Sequence, residues 1–146
     1  MKFISYVRKI PEFKGANWLI RTPIGIVFIL QGLSKFPLSI DDAQAFGLPM
    51  TVWFSAAWGE LMSGIGLLLG GTFISGDRVG DLLTRFSGIV ICCIMTGVIL
   101  IGEPESIWYV LLYDHLHLML FCGGLFFVLR GNRVKSVSYT HLRAHE

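Results

Sequence analysis

Four apolar stretches, each about as long as a bilayer is thick, constrain this chain more than any other feature of its sequence. They cover residues 18–36, 50–71, 83–102 and 106–129. A helix needs about 20 predominantly apolar residues to cross the hydrocarbon core of a membrane. The backbone amides of such a segment find no water to bond, so each stretch is predicted to be helical. Because the connections are short, we expect an all-α integral membrane protein built as an antiparallel four-helix bundle.

The composition agrees with this class and argues against others. Of the 146 residues, 53% are hydrophobic and 15% are charged, and the formal net charge is only +2. No basic stripe interleaved with aromatic residues is present, so nucleic acid is not an expected partner. The expected partner is the lipid bilayer, and assembly into a homo-oligomer is left open.

The two ends of the chain differ from the spans. Residues 1–16 are predicted to form a cytoplasmic arm, and residues 17–135 a single four-span domain. A cleaved signal peptide is the rival interpretation of the first span, but the apolar run is long and no small-residue cleavage site closes it. Residues 136–146, "SVSYTHLRAHE", resemble the translated read-through of a sequencing adapter and are predicted to be foreign to the protein. A genuine flexible tail is the alternative, and His141 and His145 are left out of the candidate site.

The distribution of basic residues predicts the orientation of the spans. Lysine and arginine occur before the first span, between the second and third, and after the fourth: Lys2, Arg8, Lys9, Lys14, Arg78, Arg85, Arg130, Arg133 and Lys135. The other two connections contain neither residue type. The positive-inside rule therefore places the N- and C-termini of this multi-pass protein in the cytoplasm.

Small residues recur at helical spacing within three of the spans. They are Gly25 and Gly32 on the first, Ser55, Gly59 and Ser63 on the second, and Gly88 and Cys92 on the third. Such positions let helices approach closely where lipid supplies no hydrophobic drive between them.

Glu60 is the only charged residue between positions 50 and 71. It lies about 15 Å from either end of its span, at about 1.5 Å per residue. An isolated ionised side chain at that depth costs about 2.5–3.5 kcal/mol on insertion scales. We therefore expect Glu60 to face the bundle interior, where it is either protonated or paired.

The first span offers polar partners for this acid. Arg21 and Lys35 lie on one stripe of the helix, near its two ends, and Gln31 precedes Lys35 by one turn. Either cation could instead extend to the membrane surface. Lys35, Gln31 and Arg21 are the predicted ligand-binding residues.

The fourth span carries three titratable residues in "YVLLYDHLHLML". Asp114 and His117 share a helix face, so they can hydrogen-bond or pass a proton. His115 points roughly 100° away from Asp114. A purely structural polar network between helices is the alternative interpretation.

These residues together predict a single site. The expected cluster is open toward the extracytoplasmic side and comprises Gln31, Lys35, Glu60, Asp114 and His117. Glu60, Asp114 and His117 are the predicted catalytic, proton-carrying residues, because proton exchange within a buried cluster suits proton-coupled chemistry.

No metal site and no covalently bound cofactor are expected. Both histidines within the spans lie on one helix, which argues against a bis-histidine haem, and their spacing suits metal chelation poorly. Cys92, Cys93 and Cys122 lie in apolar runs and are predicted to pack between helices. A redox-active pair of adjacent cysteines is the alternative, although such a disulfide would be strained.

Three motifs resemble the DoxX family. "RTPIGIVFILQGLSKF" resembles the first span of the family, with an arginine near its start and Gly-x-x-Lys near its end, here Arg21 and residues 32–35. "FGLPMTVWFSAAWGELMSGIGLLLGG" resembles the second span, with a Gly-Leu-Pro entry, a central acid, here Glu60, and a closing Leu-Leu-x-Gly. "RGNRVKSV" resembles the closing Gly-x-Gly-x-x-Ser-Leu-Asp without its second glycine and its aspartate. The resemblance covers residues 17–137.

The resemblance implies a small four-helix protein of the bacterial inner membrane. Family members include a subunit of a thiosulfate:quinone oxidoreductase and partners in membrane redox complexes. Arg21, Lys35 and Glu60 match family motifs, whereas Asp114, His115 and His117 do not. The expected function is therefore a membrane subunit of a quinone-linked redox complex, with quinone as a non-covalent ligand and a redox partner protein. The chain is then at most a subunit of an enzyme, and the alternatives are a non-catalytic scaffold or a small-solute or proton carrier.

Overall fold

The computed structural model describes residues 15–72 and 78–132, which contain six helices and no strand. The helices are α1 (Trp18–Ser34), α2 (Ile40–Ala45), α3 (Met50–Thr72), α4 (Arg78–Ile101), α5 (Ile107–Tyr113) and α6 (His115–Arg130). The all-α prediction is confirmed for the described residues.

The first two predicted spans correspond to α1 and α3, and both helices begin at the predicted residues. The local sequence explains where α1 ends and where α3 begins. Pro37 follows α1, and the residue before a proline disfavours helical geometry. Pro49 precedes the first residue of α3, a position where a missing amide proton costs no helical bond. Between them, the Ser39 side chain accepts a hydrogen bond from the Asp42 amide at 3.0 Å and starts the short α2, which was not predicted.

The predicted fourth helix, residues 106–129, is broken at Asp114. The structure has α5 and α6 in its place, and their axes differ by 97°. Ser106 caps the start of α5 by accepting a bond from the Tyr109 amide. Asp114 leaves helical geometry, with φ −99° and ψ 57°, and its side chain accepts a bond from His117. Aspartate favours such turns because its side chain competes with the backbone for hydrogen bonds.

Two helices of the described chain, α3 and α4, are long and apolar enough to cross a membrane. The bent pair α5 and α6 makes a third if it is counted as one span, and α1 is a shorter apolar helix. Large apolar side chains, such as Leu82, Leu100 and Met119, lie exposed on the outside of these helices. The fold is therefore compatible with a multi-pass membrane protein in contact with lipid.

The third predicted span corresponds to α4. The α4 helix begins at Arg78, five residues before the predicted start, and Arg85 pairs with Asp81 across one of its turns at 2.9 Å. Of the predicted arm, residues 1–16, only the last two are described. The predicted foreign tail, residues 136–146, lies outside the described residues.

Glycines set the distances between the long helices, as the small-residue spacing predicts. A Cβ at Gly32 would lie 2.7 Å from the backbone nitrogen of Leu61, and one at Gly64 would lie 2.7 Å from the carbonyl oxygen of Gly25. The earlier glycine of α1 thus meets the later part of α3, so these two helices run in opposite directions. Backbones this close gain many van der Waals contacts that a side chain would prevent.

A close approach at glycines also joins α4 to α6. A Cβ at Gly88 would lie 2.7 Å from the carbonyl oxygen of Gly124, and the side chain of Arg85 reaches the Val128 carbonyl at 2.6 Å. Between the helices, Phe28, Ile91 and Phe127 form part of a fully buried apolar core.

We expect Gly88→Ala to push α4 away from α6 and to lower the free energy of unfolding by about 1–3 kcal/mol, as overpacking does in cores. The measurement is an unfolding titration in detergent micelles followed by helical circular dichroism. Gly97→Ala is the matched control on the same helix, because nothing lies within 4 Å of its would-be Cβ. Equal stability of the two variants would contradict the close contact of α4 with α6.

Candidate functional site

The two ends of the helix bundle contain different polar groups, Lys35 and Glu60 toward one end and Arg21 at the other. The Lys35 end comprises the end of α1, the start of α3, the end of α4 and the start of α6. A cavity of about 770 Å³ lies there, and its wall includes Lys35, Trp53, Glu60, Met95 and His117. We call it the Lys35 cavity. Its volume falls in the range of about 300–1,000 Å³ that holds small ligands in proteins.

An ion pair between α1 and α3 forms the polar part of this cavity. The Nζ atom of Lys35 lies 2.5 Å from Oε2 of Glu60, and their side chains are only 14% and 4% exposed. Lys35 Nζ also lies 3.5 Å from the carbonyl oxygen of Gln31. The predicted inward orientation of both charged groups is therefore observed. A pair that shares one proton has no net charge wherever the proton sits, so neither group is buried with an uncompensated charge.

Sequence reasoning missed an aromatic residue of this site. Trp53 is buried, and Lys35 Nζ lies 5.4 Å from its ring centroid, so the ring stabilises the cation from a second side. Phe46 stacks on the same ring at a centroid distance of 5.2 Å. Trp53 precedes Glu60 by seven residues, which is two helical turns, and that spacing could have indicated a shared face.

The polar residues of α6 approach the cavity from the opposite side. His117 lines the cavity, and its Nδ1 lies 2.6 Å from Oδ1 of Asp114. The predicted contact between these two side chains is therefore present. Asp114 is not part of the cavity wall, and His115 is exposed. The structure thus brings Gln31, Lys35, Glu60 and His117 to one cavity, with Asp114 behind the histidine.

Arg21 does not line the Lys35 cavity, so its predicted place among the ligand-binding residues is wrong. It is fully buried at the other end of α1, about 21 Å along the helix from Lys35 at about 1.5 Å per residue. Its guanidinium donates to the Leu67 carbonyl, to Thr84 Oγ1 at 3.1 Å and to Asn132 Oδ1 at 2.7 Å. This geometry also excludes extension of Arg21 to the surface. Arginine's fixed fork of donors suits several acceptors on different helices at once.

Asn132 completes this second polar network, and sequence reasoning missed it. Its side-chain oxygen also accepts from Thr84 at 2.8 Å, and its side-chain nitrogen donates to the Gly70 carbonyl at 2.5 Å. Gly131, just after α6, has a φ of 59° that directs the chain toward α4. The Asn132 amide then donates to Asp81 at 2.8 Å. These contacts connect α1, α3 and α4 to the residues after α6.

The arrangement at the Lys35 end is suited to binding a neutral molecule with hydrogen-bond acceptors. Lys35 can donate to a carbonyl oxygen, and Glu60 and His117 can accept or release a proton close by. Among the described residues, no group of three or more His, Cys, Asp or Glu side chains could hold a metal ion. The three cysteines are free, and Cys92 contacts the Phe121 carbonyl at 3.6 Å.

Comparisons with protein-family models, curated proteins and solved structures find no significant match for this chain. The geometry of the two polar networks is therefore the basis for assigning a function.

We expect Asn132→Ala to remove an acceptor from buried Arg21 and to lower the free energy of unfolding by about 1.5–3 kcal/mol, the usual worth of a hydrogen bond to a charged group. Thr84→Val, which keeps the side-chain shape, should cost only about 0.5–1.5 kcal/mol. Detergent unfolding titrations measure both. If Asn132→Ala is as stable as the unmodified protein, the network does not hold the helices together.

Proposed function

We propose that this chain is a DoxX-like protein of the bacterial inner membrane and serves as the membrane subunit of a quinone-linked redox complex. In this proposal the four long helices α1, α3, α4 and α6 cross the bilayer as an antiparallel bundle. Both termini lie in the cytoplasm, so the Lys35 end faces the extracytoplasmic side. The positive-inside pattern of the sequence supports this orientation.

The observation that carries the proposal is the buried Lys35–Glu60 pair in the wall of the Lys35 cavity. A quinone is a neutral, flat molecule with two carbonyl acceptors, and it dissolves in the same lipid that surrounds the helices. Lys35 Nζ donates a hydrogen bond to one quinone oxygen, and the side chain of Gln31 at the rim of the cavity contributes polar contacts. Trp53 and Phe46 supply aromatic surface for the ring.

Reduction of a quinone to a hydroquinone takes two electrons and two protons. A redox partner protein supplies the electrons, since none of the side chains around the cavity can donate two electrons in every turnover. The protons reach the two ring oxygens from Lys35 and His117. Two protons from water on the extracytoplasmic side then restore Lys35 and His117, and Glu60 and Asp114 pass these protons on. The hydroquinone then dissociates from the site into the membrane.

A structural scaffold is the second candidate function, and the network around Arg21 favours it. In that network, buried polar side chains connect helices by hydrogen bonds to one another. If the Lys35–Glu60 pair acts in the same way, its removal changes stability and nothing else.

We expect Glu60→Gln to separate binding from turnover in the complex extracted from native membranes with mild detergent. Glutamine keeps the shape of the side chain and accepts the hydrogen bond from Lys35, so quinone binding should stay within about threefold, while loss of a proton carrier should lower quinone reduction at least about 100-fold. Tryptophan fluorescence during titration with a decyl-benzoquinone measures binding, and quinone absorbance measures turnover.

Glu105→Gln is the matched control, because Glu105 is an exposed acid in the connection between α4 and α5. Its binding and turnover should equal those of the unmodified complex. Unchanged turnover in Glu60→Gln would contradict the proton-carrying role. Recovery of the chain without any partner protein would contradict its role as a subunit.

A further inference from the structure

The Lys35 cavity extends beyond its polar residues and reaches the outer surface of the bundle between α3 and α4. Four residues of its wall are exposed on the outside of these helices: Val52 and Ser55 on α3, and Cys93 and Ile101 on α4. A residue that lines a cavity and is also exposed marks the edge of an opening. The cavity therefore has a side opening between these two helices.

Residues with small side chains create this opening. Gly97 lies in the cavity wall, and nothing is within 4 Å of the position its Cβ would take. Ala56 on the facing helix is also small and lines the cavity. Farther along the same helix pair, a Cβ at Gly59 would lie 3.1 Å from Ile94, so the two helices close there. The space is thus confined to the Lys35 end.

The surroundings of the opening are apolar. It lies between α3 and α4, the two helices that are individually long and apolar enough to span a membrane. The exposed side chains on the outside of these two helices include Phe54 and Leu100. In the membrane orientation of the proposed function, this opening faces hydrocarbon and not water.

The cavity is consequently polar near Lys35 and Glu60 and apolar at its opening between α3 and α4. We propose that the opening between α3 and α4 is a lateral entrance from the bilayer for a quinone that carries a long apolar chain. The ring lies against Lys35 and Glu60, and the chain passes Gly97 and leaves between Ser55 and Cys93 into lipid. This inference rests on the proposed function and specifies its ligand as a chain-bearing quinone.

The arrangement predicts that the chain of the ligand, and not its ring, shields Cys93. Cys93 and Cys122 are both free and exposed on helices of the bundle, but only Cys93 lines the cavity. Labelling with a membrane-permeant maleimide, in a Cys92→Ala background and followed by mass spectrometry, therefore reports on the opening. Cys122 is the internal control for changes in reagent concentration.

Two quinones with the same ring separate the roles of ring and chain. With decyl-benzoquinone at about ten times its Kd, labelling of Cys93 should slow about tenfold, because only the unoccupied fraction reacts. Labelling of Cys122 should not change. The same benzoquinone with a methyl group in place of the decyl chain, so that this ring position is not open to thiol addition, should leave both rates unchanged at an equal multiple of its own Kd.

A substitution at the opening provides a second readout. Gly97→Leu fills the path of the chain and should weaken decyl-benzoquinone binding at least about tenfold, the effect of losing about two buried methylene groups. It should leave binding of the chainless ring within about twofold. Thr96→Leu is the control, because Thr96 is exposed on the same helix and does not line the cavity.

The outcomes distinguish failure of this inference from failure of the proposed function. Binding of decyl-benzoquinone with unchanged Cys93 labelling, or with equal protection of Cys93 and Cys122, overturns the lateral entrance alone. Equal effects of Gly97→Leu and Thr96→Leu also overturn it. If neither quinone changes the tryptophan fluorescence, the quinone site itself is absent and both proposals fail.

Discussion

The fold depends first on the need to compensate charge inside an apolar bundle. Lys35 and Glu60 lie on different helices, and each would be costly to bury without the other. Their contact fixes how the end of α1 meets the middle of α3, and the Trp53 ring holds the lysine from a further side. Because both groups point into a cavity, the interaction that satisfies the buried charge also presents a proton and a donor to that space.

The two ends of the bundle use buried charge differently. At the Arg21 end, the buried guanidinium donates to acceptors from α3, α4 and Asn132. At the Lys35 end, the cation has one carboxylate, one distant carbonyl and one aromatic ring, and the cavity lies beside it. Lys35, which lies in a cavity wall, is better placed to interact with a ligand than Arg21, whose two terminal guanidinium nitrogens already donate to protein acceptors.

The sequence predicted those parts of the fold that follow from solvent alone. An uncharged stretch with one acid requires a helix and a buried partner, so the start of α3 and the pairing of Glu60 with Lys35 were accessible to reasoning. The contact of Asp114 with His117 followed from helical spacing, although the chain bends there. The break was missed because "YVLLYDHLHLML" is apolar throughout except for three residues, and apolar content does not reveal a turn.

The position of Arg21 could not be predicted from spacing. Arg21 shares a helix stripe with Lys35, but the two residues lie at opposite ends of that stripe. The side chains that accept hydrogen bonds from Arg21 belong to Thr84 and Asn132, which are 63 and 111 residues away along the chain. Only the packing of α4 against α6 brings these groups together. The cavity was equally inaccessible, because it arises where Gly97 leaves space between two helices that touch elsewhere.

A double-mutant cycle on Lys35 and Glu60 tests the central claim most directly. Lys35→Met and Glu60→Leu should each lower the free energy of unfolding in detergent by about 3–5 kcal/mol, because each leaves one buried group unpaired. The double variant should lose little more than either single one, which gives a coupling energy nearly as large as the loss in a single variant, about 3 kcal/mol or more. Additive effects, with a coupling energy below about 0.5 kcal/mol, would show that the two side chains are not paired.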